Sequence, residues 1–219
     1  TDGNTKKETY YIFVDKTKPV VTVVPDGGKY VIPVGSTNAK IDATINIAED
    51  GSGVQSAQYA WSSSQVVIPT TWIDFSSGKA ISNSVKGGNY YLWIKVKDKA
   101  GNIADKGITN VYKVVYSVEY NANGGSNAPT KQEKTSGTNL TLSKSLPVKT
   151  GYTFKGWAEN QSATTAKYQA GDTYSVDASI RLYAVWEANT YNIIYNLNGG
   201  KFNEHIHTIK KKYYQQLMI

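Results

Sequence analysis

The residues best suited to bind a metal ion fall in two short polar runs, DGSGV at Asp50–Val54 and KDKAGN at Lys97–Asn102. If the first run joins the second and third strands of a β-sandwich and the second joins the last two, both lie at the same end of the sandwich. Their hard oxygen donors then converge on a candidate calcium site made of Asp50, Ser52, Asp98 and Asn102. The alternative is turn chemistry, because Asp, Asn, Ser and Gly are also the residues that such turns require.

Other residues capable of chemistry are few. His205 and His207 lie near the end of the chain without evident partner ligands, which favours exposed residues over a metal site. Trp72 follows a proline-containing loop and is either a platform for a sugar ring or a residue packed on an edge strand. The sequence has no cysteine and no HExxH, GxSxG, GxGxxG or P-loop motif, so it predicts no enzyme, no cofactor and no disulfide.

Three runs rich in aromatic and glycine residues predict the strands of one small sheet. In GYTFKGW, Gly151–Trp157, apolar and polar residues alternate as in a half-buried strand. YNANGG, Tyr120–Gly125, closes a similar alternating run with a tight turn, and LYAVW, Leu182–Trp186, predicts another apolar strand. We expect the three runs to share a sheet sealed by Trp157 and Trp186, with their aromatic residues in the core rather than in a binding site.

The order and spacing of these motifs, with Tyr168 and Gly171-Asp172 between the last two, resemble the Listeria-Bacteroides repeat. This module is also known from the B repeats of internalin-type surface proteins. The resemblance covers Tyr116–Glu187, and we assign residues 116–188 to the repeat. It implies a small β-grasp-like module, usually in tandem, in secreted or surface-anchored bacterial proteins, and it implies no catalytic residues.

The motif then begins again. The run YNIIYNLNGG, Tyr191–Gly200, repeats the pattern of the earlier run YSVEYNANGG. The two Tyr-Asn pairs begin at positions 120 and 195 and are thus 75 residues apart. Residues 189–219 are therefore predicted to be the start of a second, truncated repeat. We expect Tyr191–Leu197 to be mobile or to add to an edge of the preceding repeat, and Asn203–Ile219 to be weakly ordered or helical.

Residues 18–115 predict an antiparallel β-sandwich. Short strand-like runs alternate with turn residues, namely Val20–Val24, Lys40–Ile47, Ser56–Trp61, Thr71–Phe75, Tyr90–Val96 and Thr109–Val115. The segment resembles the bacterial immunoglobulin-like domains of surface proteins in its motifs DKTKP, DGSGV and KDKAGN. Because cysteine is absent, Trp61 and Trp93 are the expected core fillers.

The first 17 residues predict a strand, Tyr10–Val14, and a linker-like break at Asp15–Pro19. Asp2-Gly3-Asn4 before this strand echoes Ala100-Gly101-Asn102 later in the chain, so we interpret the segment as the last strand of a preceding copy of the immunoglobulin-like domain. The alternative is an N-terminal arm. With Thr1 first and no signal peptide, the chain looks like a fragment of a longer protein.

The charge argues against nucleic-acid binding. The net charge of +7 is spread along the chain, and only Lys210–Lys212 forms a basic run. The sequence contains no run of eighteen apolar residues, so it predicts no membrane-spanning helix.

These features predict a mainly β protein, with an immunoglobulin-like antiparallel sandwich followed by a small β-grasp-like repeat module. The predicted function is a non-catalytic segment of a bacterial cell-surface or secreted multidomain protein, a monomeric part of a tandem array acting as a stalk or host-contact module. The expected partners are a host-surface protein, a glycan or the cell wall. The alternative is a glycan-binding accessory module of a larger extracellular enzyme; a fragment of that enzyme's catalytic region is disfavoured by the lack of acid–base motifs.

Overall fold

The computed structural model describes residues 8–10, 12, 14–191 and 198–199. All regular structure in these residues is β-strand, which confirms the predicted mainly β class. The chain divides into two compact units. The first holds the chain up to Ile32 together with Asn38–Val115, and the second holds Pro33–Thr37 and the chain from Tyr116 onwards. The predicted domain boundaries require each unit to fold independently, which stays a prediction.

The strands of the first unit form two antiparallel sheets, as expected for a sandwich. The strands are β1 (Val20–Val24), β2 (Gly28–Ile32), β3 (Ala39–Ala48), β4 (Val54–Ser62), β5 (Ile73–Asp74), β6 (Ala80–Val85), β7 (Gly88–Asp98) and the beginning of β8 (Tyr112–Asn121). One sheet has the order β1-β3-β6. In the other, β4 lies between β5 and β7, and β7 pairs with the beginning of β8.

Strand β3 shows why this sequence forms a sandwich. Ala39, Ile41, Ala43 and Ile45 alternate with polar residues, and all four are buried. A period of two places them on one face of the pleated strand, against the core. The strand predicted at Lys40–Ile47 is therefore confirmed, and Ile47 at its end is half-buried.

The two tryptophans expected in the core of the first unit are only half-buried. In β7, Leu92 and Ile94 occupy the buried face, so Trp93 between them points to the opposite face. Its indole Nε1 donates a hydrogen bond to the backbone oxygen of Ser64 at 3.0 Å. Trp61 packs edge-on against Tyr112, with 5.2 Å between the ring centroids. The core is instead filled by aliphatic residues of β3 and β7.

The strand predicted at Tyr10–Val14 is absent at its described residues. Tyr10, Ile12 and Val14 belong to no strand and are 80%, 86% and 68% exposed. Alternating apolar residues form a strand only when a neighbouring strand accepts their hydrogen bonds and covers one face. The idea that this segment ends a preceding domain copy stays a prediction.

The second unit contains the end of β8, followed by β9 (Gln132–Thr135), β10 (Leu140–Thr141), β11 (Tyr152–Ala158), β12 (Thr173–Tyr174) and β13 (Ile180–Ala188). β13 pairs in parallel with Val118–Asn121 of β8 and antiparallel with β11. The three motif runs therefore share one sheet, as predicted. β9 also pairs with β8, and β10 pairs with β12 in a separate ribbon.

The core of the second unit combines residues of the motif runs with residues between and before them. Its fully buried members are Val118, Leu142, Trp157, Tyr174, Leu182 and Ala184. Trp157 is 0% exposed and meets Tyr120 and Phe154 edge-on, each at 4.9 Å between ring centroids. Trp186 packs on this cluster and donates from Nε1 to the backbone oxygen of Ala122 at 2.9 Å. Edge-to-face packing of this kind stabilises beyond the apolar area that it buries.

A β-bulge in β11 brings Trp157 into this core. The pairing of β11 with β13 shifts register between Phe154 and Gly156, where φ of Gly156 is +124°. A Cβ atom at this position would lie 2.5 Å from the backbone oxygen of Tyr168. Glycine is therefore required both by its backbone angle and by the close approach of the neighbouring chain.

We expect Gly156→Ala to destabilise the second unit by about 3 kcal/mol, because it adds backbone strain and a steric overlap. The matched control is Gly151→Ala, whose φ is +77° but whose Cβ would meet no atom within 4 Å. Backbone strain alone predicts a cost of about 1 kcal/mol there. Chemical denaturation measures both values, and equal costs at the two positions would contradict the role assigned to the bulge.

Candidate functional site

Three carboxylates meet at one end of the first unit. Asp15 precedes β1, Glu49 follows β3 directly, and Asp98 is the last residue of β7. One carboxylate oxygen from each residue lies within 4.8 Å of the other two. Asp98 is 0% exposed, whereas Asp15 and Glu49 are half-buried. We call these three residues the acidic cluster.

Polar neighbours hold the acidic cluster in place. Asn102 donates to the Asp98 carboxylate from its backbone nitrogen at 2.8 Å and from its side-chain amide at 2.7 Å. The same amide donates to the backbone oxygen of Asp15 at 3.2 Å. The carboxylate of Asp15 accepts from the backbone nitrogens of Ser52 at 2.8 Å and Thr17 at 2.9 Å. Two of the carboxylates are thus oriented by donors from three separate segments.

These hydrogen bonds favour the ionised form of Asp15. Its pKa lies below the ordinary value, chiefly because the Ser52 backbone donates to the carboxylate and next because the Thr17 backbone does. Glu49 differs, because its Oε1 accepts from the backbone nitrogen of Gly51 at 3.1 Å while its Oε2 is buried without a hydrogen-bond partner.

The structure brings together part of the candidate calcium site predicted from the sequence. Asp98 belongs to the acidic cluster, and Ser52 and Asn102 lie beside it as hydrogen-bond donors rather than as further carboxylates. Asp50 is exposed and lies outside the cluster. Sequence reasoning missed Asp15 and Glu49, although an acid directly before DGSGV and an acid opening DKTKP were visible signals.

The structure places none of the other candidate residues from the sequence in a binding site. The ring of Trp72 is covered on one face by Lys95, whose Nζ lies 3.8 Å from the ring centroid, and its Nε1 donates to the backbone oxygen of Pro69 at 2.9 Å. Trp72 is therefore half-buried and tied to its own loop, as in the packed alternative. His205, His207, Lys210–Lys212 and the expected strand Tyr191–Leu197 lie outside the described residues, apart from Tyr191.

The second unit carries an open groove of about 1030 Å³. Its walls include the aromatic rings of Tyr152, Phe154 and Trp186 together with Lys149. The Lys149 ammonium lies 4.3 Å from the ring centroid of Tyr152 and 5.9 Å from that of Trp186. The groove thus presents aromatic surface with one positive charge, and no carboxylate of the described residues lines it.

Residues 116–185 match the sequence profile of the Listeria-Bacteroides repeat domain. This segment is a Listeria-Bacteroides repeat. The match lies within the second unit and confirms the resemblance drawn from the aromatic and glycine motifs. The matched family is a repeat domain and not a catalytic one.

Two proteins of Evansella cellulosilytica resemble the chain. One, named provisionally as a Gly-rich membrane protein, is 37% identical over 86 residues, which cover 39% of this chain and 10% of that protein. The other, named provisionally as a membrane protein, is 33% identical over 99 residues, or 45% of this chain and 14% of its own length. The chain therefore matches only a small part of each relative. Among the described residues, no helix has the length and apolar character needed to cross a membrane.

The Listeria-Bacteroides repeat also contains an ion pair in which the lysine is fully buried and the Asp177 side chain is 39% exposed. Lys134 in β9 is 0% exposed, and its ammonium contacts the carboxylate of Asp177 directly. Asp177 also accepts from the hydroxyl of Ser136 at 2.8 Å and from the backbone nitrogen of Gly137 at 2.9 Å. The pKa of Asp177 is lowered, first by the hydrogen bond from Lys134. A fully buried ammonium with a satisfied carboxylate is a structural pair rather than a catalytic one.

Proposed function

We propose that this chain is a non-catalytic segment of a bacterial surface-associated protein, in which β-modules follow one another as a stalk or contact region. The observation that carries the proposal is the use of the repeat's aromatic residues. Trp157 and Tyr174 are buried in the core of the module, Tyr120, Phe154 and Trp186 pack against that core, and the sequence pattern starts again at Tyr191. A module that repeats its core pattern along a chain is typical of an array whose role is mechanical or adhesive.

The relatives support the location. Both carry names that place them at a membrane, and both are far longer than the stretch that they share with this chain. A β-rich segment of a long membrane-associated protein is suited to project another part of that protein from the cell. Secretion, anchoring at the surface and host contact belong to this proposal.

The location is tested in the bacterium that makes the full-length protein, with an antibody against residues 116–188. We expect the antibody to label intact cells, while an antibody against a cytoplasmic protein labels them only after permeabilisation. Labelling of both proteins only after permeabilisation would contradict surface exposure.

A glycan-binding role is the second candidate, and the aromatic groove favours it. Rings such as Tyr152 and Trp186 offer flat apolar surface, and Lys149 supplies a polar group that fixes orientation. Calorimetric titration of the chain with cell-wall and host oligosaccharides tests this. If the groove binds them, Tyr152→Ala weakens binding while Tyr91→Ala, a half-buried tyrosine of the first unit, leaves it unchanged. Equal loss in both variants, or no binding by the unaltered chain, removes this candidate.

A further inference from the structure

The charge in the aromatic groove of the second unit is positive. Lys149 is the one charged residue among the described residues that line the groove, and it is half-buried. In the part of the chain that the structure describes, no carboxylate forms an ion pair with its ammonium. Opposite charges in partly buried surroundings are screened less than in bulk water. The groove is therefore complementary in charge to an anionic ligand.

The neighbours of Lys149 hold its ammonium against the aromatic surface. Its Nζ lies 4.3 Å from the ring centroid of Tyr152 and 5.9 Å from that of Trp186. Both distances lie within the range of a cation–π interaction. The indole of Trp186 is itself fixed, because its Nε1 donates to the backbone oxygen of Ala122 at 2.9 Å. The positive charge and the two rings thus form one preformed surface.

Two glycines of the motif YNANGG leave room for this surface. A Cβ atom at Gly125 would lie 2.7 Å from a ring carbon of Trp186 and 2.5 Å from the backbone oxygen of Val148. At Gly124, whose φ is +84°, a Cβ atom would lie 3.4 Å from the Nζ of Lys149. A larger residue at position 125 would displace the indole or the loop before β11. The Asn-Gly-Gly run interpreted from the sequence as a tight turn therefore also shapes the wall of the groove.

We propose that the groove binds an acidic polysaccharide built of hexuronate residues. The proposal rests on the glycan-binding candidate above and names its ligand class. The face of an aromatic ring carries partial negative charge and attracts the C–H groups of a pyranose ring. A hexuronate carries its carboxylate directly on that ring. One sugar residue can thus cover aromatic surface of the groove and pair its carboxylate with Lys149.

Charge and size favour this ligand over other anions. A phosphate monoester carries a charge of about −1.5 to −2 and is suited to several donors or an arginine, whereas one lysine lines the groove and matches the single charge of a carboxylate. The volume of about 1030 Å³ is at the upper end for small-ligand sites, which leaves room for several sugar residues. An acidic peptide of aspartate or glutamate would bring a carboxylate without a ring to stack on Tyr152 or Trp186.

The test is calorimetric titration of the whole chain with a β-1,4-linked tetramer of glucuronic acid and, as the neutral match, with cellotetraose. We expect the acidic tetramer to bind more tightly by about tenfold or more, because a charge-assisted hydrogen bond adds to stacking. Added salt should weaken binding of the acidic tetramer and leave that of cellotetraose unchanged. Equal affinities, or binding of neither tetramer, would overturn the hexuronate assignment. Binding of another oligosaccharide to the groove would still support the glycan candidate.

Three lysine variants separate the groove from the general positive charge of the chain. Lys149→Gln should weaken binding of the acidic tetramer by about tenfold, whereas Lys131→Gln, at an exposed lysine of the same unit, should leave it unchanged. Lys149→Arg keeps the charge and should retain most of the binding, which shows that the site tolerates substitution at this position. Equal loss in Lys149→Gln and Lys131→Gln would overturn the proposal.

Amidated tetraglutamate is the control for carboxylates without sugar rings. It carries the same number of negative charges as the acidic tetramer, and we expect it to bind more weakly by about tenfold, because it cannot stack on the aromatic rings of the groove. Equal affinity for the two tetramers would assign the groove to acidic peptides and overturn the proposal.

Discussion

Replacement of Trp157 by alanine is expected to unfold the Listeria-Bacteroides repeat while the first unit stays folded. The side chain is 0% exposed and packs edge-on against Tyr120 and Phe154. Loss of a buried tryptophan costs about 3–5 kcal/mol, which is close to the whole stability of a small domain. Calorimetry of the whole chain should therefore lose the transition of the repeat and keep the transition of the first unit.

Two further variants define what Trp157 contributes. Its Nε1 is buried without a hydrogen-bond partner, so packing alone accounts for its contribution. Trp157→Phe keeps an aromatic ring in the core and should cost less than the alanine variant. Trp72→Ala, a half-buried tryptophan of the first unit, should leave the transition of the repeat unchanged. A Trp157→Ala variant that keeps this transition would show that the residue is not the centre of the core.

Replacement of Asp177 by alanine is expected to destabilise the repeat by about 3 kcal/mol. It would leave the fully buried ammonium of Lys134 without its carboxylate, and a buried charge that loses its partner is uncompensated. Glu187→Ala is the matched control, because Glu187 pairs with Lys155 at 3.0 Å where both side chains are at least half exposed. A surface pair of this kind contributes about 0–1 kcal/mol. Equal effects of the two variants in urea denaturation would contradict a special role for the pair that contains the buried lysine.

The same pair predicts how the stability of the repeat depends on pH. The Lys134 ammonium holds the pKa of Asp177 below its ordinary value of 3.8. A carboxylate whose pKa is lower in the folded state than in the unfolded chain stabilises the folded state at any pH above its ordinary pKa. This stabilisation is lost as the pH falls from the ordinary pKa through the lower pKa of the folded state. The melting temperature of the repeat should therefore drop as the pH falls below about 4. In Asp177→Ala, the melting temperature of the repeat should fall less at low pH. An equal fall in this variant would show that other carboxylates cause the pH dependence.

The sequence carried enough information to predict the sheet of the repeat. Apolar and polar residues alternate in GYTFKGW, whereas LYAVW is a continuous apolar run. Both patterns are typical of strands, and the two runs pair in the structure as β11 and β13. Short strands such as β10 and β12 were missed, because two residues show no period. β6 was missed for another reason: Ile81 and Val85 are its only buried residues, and pairing with β3 defines it rather than its own composition.

One predicted break does not exist in the structure. The sequence suggested a strand ending at Val115 and another starting at Tyr116, whereas β8 runs without interruption over Tyr112–Asn121. The run YKVVYSVEYN contains neither glycine nor proline, so nothing in the local sequence ends the strand. A change of motif along the chain was interpreted as a change of backbone element, and the two need not coincide.

The acidic cluster shows what sequence reasoning leaves out. The sequence placed Asp98 at a loop end of the sandwich because loop positions follow from strand order, and Asp98 is the last residue of β7. The participation of Asp15 and Glu49 depends on where the segment before β1 passes and on which of two neighbouring acids faces inward. The path of this segment and the orientation of the two acids are set by tertiary structure. The sequence alone does not show that Glu49, rather than Asp50, faces the cluster.

The central claim, that the chain is a series of separately folded β-modules, is tested most directly by thermal unfolding of two overlapping pieces. Residues 8–121 and 112–191 each contain the whole of β8 and thus cut no strand. We expect each piece to unfold cooperatively, within a few degrees of the corresponding transition of the whole chain. Pieces that remain unfolded, while the whole chain melts in one indivisible transition, would contradict the modular structure and the stalk function proposed from it.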